Sequence, residues 1–330
     1  MEILVVLEQS ILLLMIGLIG FAAGKTKYLP EDSHKIISTL VVKITAPLMI
    51  VTNLYHMEFG TEDYISGIKL YFSAALLVLT GYGISLILRK VLGLKDQTGR
   101  IFSTQMMFGN IMYFALPLFS VLGNTLPEAW GKSTAYAMFF VLGSETIMWT
   151  LGISMISGKE GESWKSRAKH LLNPNTIAFF IGLVLLATNA QQAFLKVPFL
   201  DKIMGKLTDV GNMTAVLSML FIGMMLSRVS LKGFFKDGKR LLALFISSFV
   251  KMLFLPGLVL VFCLLFPGFL PTEPAKTLLV EIGMPVATLS AALAGQYDCD
   301  PEFATQGVFV STVLLIGTLP LVLLFANFIL

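Results

Sequence analysis

The chain's 330 residues are 56% hydrophobic and only 13% charged, with a formal net charge of +4. Soluble domains carry about 25% charged residues. With a mean hydropathy of +0.82, the composition excludes a disordered chain, a nucleic-acid binder and a two-domain soluble enzyme.

An all-α integral membrane protein remains. One spanning helix needs about 20 apolar residues, so ten would use about 200. Apolar runs bounded by basic or Pro/Gly-rich breaks predict ten spans, near 3–24, 35–57, 66–92, 100–122, 130–156, 174–190, 200–228, 239–266, 275–296 and 302–328. The start, Met1-Glu2 with its first basic residue at Lys25, lacks the charged region of a cleaved leader, so the first run is expected to stay as a span. The sixth run is short, and the seventh is polar at its start. Cys263 and Cys299 fall near opposite faces in this topology, so no intrachain disulfide is expected.

Basic residues divide unevenly between the connections. Sixteen flank the 1–2, 3–4, 5–6 and 7–8 loops: Lys25, Lys27, Lys35; Arg89, Lys90, Lys95, Arg100; Lys159, Lys165, Arg167, Lys169; Arg228, Lys232, Lys236, Lys239, Arg240. Six lie on the other side: Lys69, Lys132, Lys196, Lys202, Lys206 and Lys276. The positive-inside rule then predicts a multi-pass protein of the cytoplasmic membrane with both termini outside. The turn Asp298-Cys299-Asp300-Pro301 carries no basic residue and adds nothing to this count.

The chain also repeats. Lys27-Tyr28-Leu29-Pro30-Glu31-Asp32 precedes span two, and Lys196-Val197-Pro198-Phe199-Leu200-Asp201 precedes span seven. Ala115-Leu116-Pro117 in span four is echoed by Gly283-Met284-Pro285 in span nine, and both proline pairs lie 168 residues apart. Five spans per half force the halves into opposite orientations, the signature of an inverted repeat. The expected organisation is 1–157 as the first five-helix repeat, 158–173 as a cytoplasmic connection and 174–330 as the second, inverted repeat. Coincidence in a Pro- and Gly-rich chain is the competing explanation.

Spans four and nine are interrupted at matching places. Proline removes an amide donor and clashes with the preceding turn. In hydrocarbon a freed carbonyl is costly unless protein or water satisfies it. Paired breaks in corresponding spans therefore point to a midplane substrate site. Helix ends facing such a break offer amides to anions and carbonyls to cations. Asn110, Pro117, Gly283, Pro285 and Thr288 are the candidate substrate residues here, and Asn53, beyond Pro47 in span two, is a further one. Two ordinary proline kinks would produce the same pattern.

These residues bear a resemblance. Asn110 lies seven positions before Pro117; Ala46-Pro47-Leu48-Met49 and Met284-Pro285-Val286-Ala287-Thr288 follow; the tail runs from Ala294-Gly295-Gln296-Tyr297 through Ser311-Thr312-Val313-Leu314 to Leu319-Pro320. In order and spacing, over essentially the full chain, this resembles the auxin efflux carrier family. The resemblance implies ten spans in a five-plus-five inverted repeat, with a scaffold and a transport portion whose two broken helices cross at their prolines. It implies organic-anion substrates, such as auxin for plant members and malate or malonate for bacterial ones, and elevator-like motion. It places Asn110, Pro117 and Pro285 near the crossing. Relatives often carry Asn where this chain has Leu289, so one polar substrate contact of the family is replaced. The long central cytosolic loop of plant members is replaced by residues 158–173.

Other polar residues fall within spans. Lys43 could meet an anion or pair with Asp209, or could snorkel to the interface. Asp209 could carry a coupling proton, or could stand in water if span seven starts later. Glu145 and Glu281 are further candidates for proton or ion coupling, Glu281 first because it lies four residues before Pro285. Lys251 could pair with either. Glu8 and His56 are expected near the outer surface. Gly17, Gly20 and Gly24 in span one could mark a homodimer face. No phosphate loop, metal-ligand cluster or nucleophile-base arrangement is apparent, and no cofactor is expected.

The sequence therefore reads as a non-enzymatic secondary transporter of small organic anions, its partners being the anion, the lipid bilayer and a coupling proton or sodium ion. A proton- or sodium-coupled cation antiporter is the nearest alternative. A receptor or sensor that kept the carrier fold is another, though the chain shows no signalling module.

Overall fold

The computed structural model describes residues 2–26, 28–30, 32–158, 172–229 and 237–330. Most of the predicted 158–173 connection lies outside the described residues, as do Lys27, Glu31, Lys159, Lys165, Arg167, Lys169, Lys232 and Lys236. The described chain is helical, with one isolated two-residue bridge. In order, the main helices are α1 (Glu2–Lys25), α2 (Ser33–Tyr55), α3 (Thr61–Val91), α4 (Asp96–Met107), α5 (Ile111–Thr125), α6 (Pro127–Ser157), α7 (Pro174–Ala187), α8 (Pro198–Leu226), α9 (Gly238–Leu265), α10 (Thr272–Ile282), α11 (Thr288–Gln296) and α12 (Pro301–Ile329), with a short helix, Ala190–Leu195, between α7 and α8. Seven of them, α1, α2, α3, α6, α8, α9 and α12, are long and apolar enough to cross a membrane. Helices α5 and α7 are apolar but shorter. The runs expected as spans four and nine are each split, into α4 and α5 and into α10 and α11.

Apolar residues face outward as well as inward. Phe72, Leu76, Val184 and Leu265 are exposed, while Phe102, Phe114, Phe140 and Phe303 are fully buried. In water such an outer surface would be a sticky patch; in hydrocarbon it is the expected one. Hydroxyls on the helices turn back onto their own backbone, as Thr52 does on Leu48 and Thr312 on Val308, which keeps polar atoms satisfied where water is excluded.

Three prolines shape their helices without breaking them. Wide π-helical turns span Val41–Thr45, Ile111–Ala115 and Val250–Phe254. Each ends two residues before a proline: Pro47, Pro117 and Pro256. The residue just before that proline donates its amide to the carbonyl five positions back: Ala46 to Val41, Leu116 to Ile111 and Leu255 to Val250. The wider turn re-pairs the backbone that proline disturbs. Pro117 is thus carried inside α5, and the interruption of span four lies upstream of it, at residues 108–110.

Small residues set the helix contacts. The Gly17, Gly20 and Gly24 stripe of α1 lies against Met219 and Leu220 of α8 and Ser227 just past its end, so this face is covered within the chain and is not free for a second copy. At one end of the bundle, Asp63 at the start of α3 pairs with Lys132 at 2.7 Å, and Glu273 of α10 accepts from the Lys132 amide at 2.6 Å and the Ser133 hydroxyl at 3.0 Å. At the other end, Asp300 caps α12 by accepting from the Phe303 amide, pairs with Arg240 of α9 at 2.8 Å, and receives the Thr98 hydroxyl of α4. The 298–301 turn, which has no basic residue of its own, therefore sits on the same end as the basic 3–4 and 7–8 connections.

Candidate functional site

Two half-helices approach each other at the middle of the bundle. Helix α4 stops at Met107 because Phe108 turns to extended backbone, and α10 stops at Ile282, followed by Gly283-Met284-Pro285. The two extended pieces meet as an antiparallel bridge between Gly109 and Val286. The Asn110 amide donates to the Pro285 carbonyl at 2.7 Å, and the Ala287 amide donates to the Phe108 carbonyl at 3.0 Å. Each break thus satisfies part of the backbone the other leaves open. The Val286 amide donates to the Ser311 hydroxyl of α12 at 3.0 Å. Gly109 is closely packed: a Cβ there would lie 3.2 Å from both Lys251 Cε and Met284 Cβ, so these side chains would have to give way.

Beyond the crossing, α5 starts at Ile111 and α11 at Thr288. A helix start leaves its first amides without intrahelical partners and carries partial positive charge. Both starts line one cavity of about 390 Å³, walled by Val42, Phe108–Tyr113, Val141, Ser144, Glu145, Met148, Trp149, Asn173, Asn175 and Ala287–Leu289. This is within the usual range for small-molecule sites. Most of the wall is apolar. Its polar groups are few and placed. Asn110 is 3% exposed; its side-chain oxygen meets the Thr288 hydroxyl at 3.3 Å, and its Nδ2 has no hydrogen-bond partner. Asn175 is also buried, with its Oδ1 unpaired. Buried polar atoms left open in this way are costly unless something fills the site.

Glu145 is the charged side chain in this wall. Asn173 caps α7, accepting from the amides of Asn175 and Thr176 at 3.0 Å each, and its Nδ2 donates to Glu145 Oε2 at 2.8 Å. Capping fixes the Asn173 amide, and the amide fixes the carboxylate. Tyr113 completes another side by sharing a 2.7 Å hydrogen bond with Ser38.

Of the residues singled out in the sequence, Asn110, Thr288 and Glu145 meet in the cavity. Leu289, where relatives often carry Asn, lines it as an apolar residue. Pro285 supplies a carbonyl to the crossing, and Gly283 ends α10. Five others stand outside the cavity wall. Pro117 lies within α5, away from the bridge and the cavity wall, because the π-helical turn absorbs it. Asn53 uses its amide on the Met49 carbonyl at 2.7 Å and does not reach the cavity. Lys43 is exposed, and Asp209 pairs with Lys206 at 2.9 Å instead, one turn away on its own helix. Glu281 is fully buried but outside the cavity wall. Trp149, Asn173 and Asn175 went unnoticed in the sequence. Asn173-Pro174 directly ahead of an apolar run is a helix-start signature that could have marked the last two.

A family model described as membrane transport protein matches the chain twice, over residues 5–168 and 163–323. No curated protein matches it.

Proposed function

The chain belongs to the membrane transport protein family, the auxin efflux carrier family that its motifs resemble, and from that premise we propose that it is a secondary transporter of small organic anions, carboxylates above all, across the cytoplasmic membrane. The observation that carries this reading is the convergence of two helix starts and the unpaired Asn110 amide on one largely apolar cavity. Amides at helix starts bind anions, and the apolar wall suits the carbon body of an organic acid. In this reading the chain crosses the membrane ten times as a five-plus-five inverted repeat, with both termini outside. The crossing of α4–α5 with α10–α11 moves as one body, elevator fashion, against α1, α2 and their partners, and exposes the cavity to each side in turn.

Glu145 gives a coupling proton a place beside the substrate. A carboxylate that faces an anion repels it when ionised, so proton uptake and anion binding favour each other. The same carboxylate is what a cation antiporter would use, which keeps that rival in play. A thermal-shift screen of purified protein separates the two. Carboxylates of graded size and hydrophobicity should stabilise it by mass action, whereas stabilisation by organic cations alone would overturn the anion reading. Flux of the best ligand into proteoliposomes then tests transport itself.

A further inference from the structure

Among the described residues, Lys251 is the strongly buried cation at the crossing that the substrate cavity does not use. It is 1% exposed, stands in the π-helical turn of α9, and is not part of the cavity wall. Its ammonium donates to the Ile282 carbonyl, the last of α10, at 2.9 Å. A Cβ on Gly109 would lie 3.3 Å from that same nitrogen, so the ammonium sits directly behind the bridge. Glu281, also fully buried, is its electrostatic counterpart, and both Glu281 carboxylate oxygens lack a hydrogen-bond partner. They do not touch as an ion pair.

The setting is that of a cation site. A helix end carries partial negative charge in its free carbonyls. In transporters with broken helices, such ends and the unwound carbonyls beside them coordinate the driving sodium ion or proton. Here a carbonyl at a half-helix end accepts from the nitrogen, a crowded glycine lies beside it, and a buried carboxylate acts on its charge without touching it. A buried lysine of this kind is expensive unless its surroundings need the charge.

We propose that the Lys251 ammonium is a built-in cation, tethered at the crossing where a mobile one would otherwise bind, and that α9 thereby holds the α10 end and Glu281 in place with no sodium ion. The inference rests on the transport reading only for its meaning to coupling; its test needs no substrate. Lys251 is a positioning residue on this view, acting on the substrate through the bridge that carries Asn110.

The test is thermal unfolding of the purified full-length protein in detergent, with sodium, methylammonium or choline chloride at equal ionic strength. Wild-type protein should give the same Tm in all three. Lys251→Ala should lose about 5–10 °C in choline and regain at least half of that in methylammonium, with a smaller gain in sodium, because a small cation refills the vacated place. A wild-type Tm raised by sodium over choline would overturn the proposal, since a mobile ion would then have its own site. So would Lys251→Ala that matches wild type in choline, or that is equally low in all three salts. If Lys251→Ala yields no folded protein, Lys251→Met is compared with Lys251→Met/Glu281→Gln. The double variant should be the more stable, because it leaves no lone buried charge. Equal or lower stability of the double variant overturns the charge compensation. Failure of the carboxylate screen would leave these outcomes unchanged, so the two readings fail separately.

Discussion

The backbone amide of Asn110 donates to the carbonyl of Pro285 at 2.7 Å, although the two residues belong to opposite halves of the chain. Through this bond and its partner between Ala287 and Phe108, neither helix break can shift without the other. The same residue lines the cavity, and its side-chain Nδ2 is buried without a hydrogen-bond partner. One asparagine therefore joins the scaffold of the crossing to the surface that meets a ligand.

Asn110→Ala keeps the backbone bond and removes only the side chain. It should abolish stabilisation by carboxylates, or weaken it at least about tenfold, the loss of one hydrogen bond to a charged group of about 1.5–3 kcal/mol. The unliganded Tm should fall little, because the Nδ2 it removes is unpaired and the Oδ1 gives up only the long 3.3 Å contact with the Thr288 hydroxyl. Asn110→Asp should be worse for binding, since it sets a carboxylate against the anion. Titration of the best carboxylate in the thermal-shift assay checks both; undiminished affinity in Asn110→Ala would remove the residue from the site.

Pro117→Ala separates the crossing from the proline within α5. The proline sits in a helix that its wide turn already accommodates, and it does not line the cavity. Replacement by alanine should leave ligand stabilisation within a factor of about three, while restoring one backbone donor. Complete loss of binding would show that the wide turn itself shapes the site.

How much of this was legible in the sequence follows from how local each cause is. Apolar length is local, so the positions of the helices could be read directly. Proline is local too, but its effect is not. Pro285 sits in a true break because Gly283 and extended backbone flank it. Pro117 does not, because the π-helical turn ahead of it re-pairs the carbonyls. The sequence shows both as prolines with a polar neighbour. Matching Pro117 to Pro285 therefore did not match the two breaks, which lie at Gly109 and Val286. Carboxylates were harder still. Glu281 is near Pro285 in sequence yet faces Lys251's side of the crossing, whereas Glu145 reaches the cavity from another helix. Spacing within one helix cannot tell which side of a crossing a residue takes.

That difference has a kinetic consequence. If a proton moves with the substrate through Glu145, flux of the anion should rise as pH falls, because neutralising the carboxylate lifts its repulsion. Glu145→Gln is neutral at every pH, so its flux should be flat and near the low-pH value of wild type. Glu281→Gln should keep the wild-type pH profile at reduced stability. Proteoliposome flux measured across the pH range decides; a flat Glu281→Gln with an unchanged Glu145→Gln would move the coupling site to the crossing.

The contact between α1 and α8 offers a test of packing apart from function. A Cβ on Gly223 would collide with the Gly17 carbonyl and approach the Phe21 amide at 2.7 Å, backbone atoms that cannot rotate aside. Gly205 lies on the same helix with nothing near the place its Cβ would take. Alanine is the better helix former by about 1 kcal/mol, so propensity alone would stabilise both. Gly205→Ala should then be neutral or slightly more stable. Gly223→Ala should lose about 1–3 kcal/mol to overpacking, seen as a lower apparent Tm and faster inactivation in detergent at one scan rate. Equal behaviour of the two variants would mean that α1 packs more loosely on α8 than the glycine stripe indicates. A loss confined to Gly223→Ala fixes α1 against α8 and makes the stripe an internal joint of the protein.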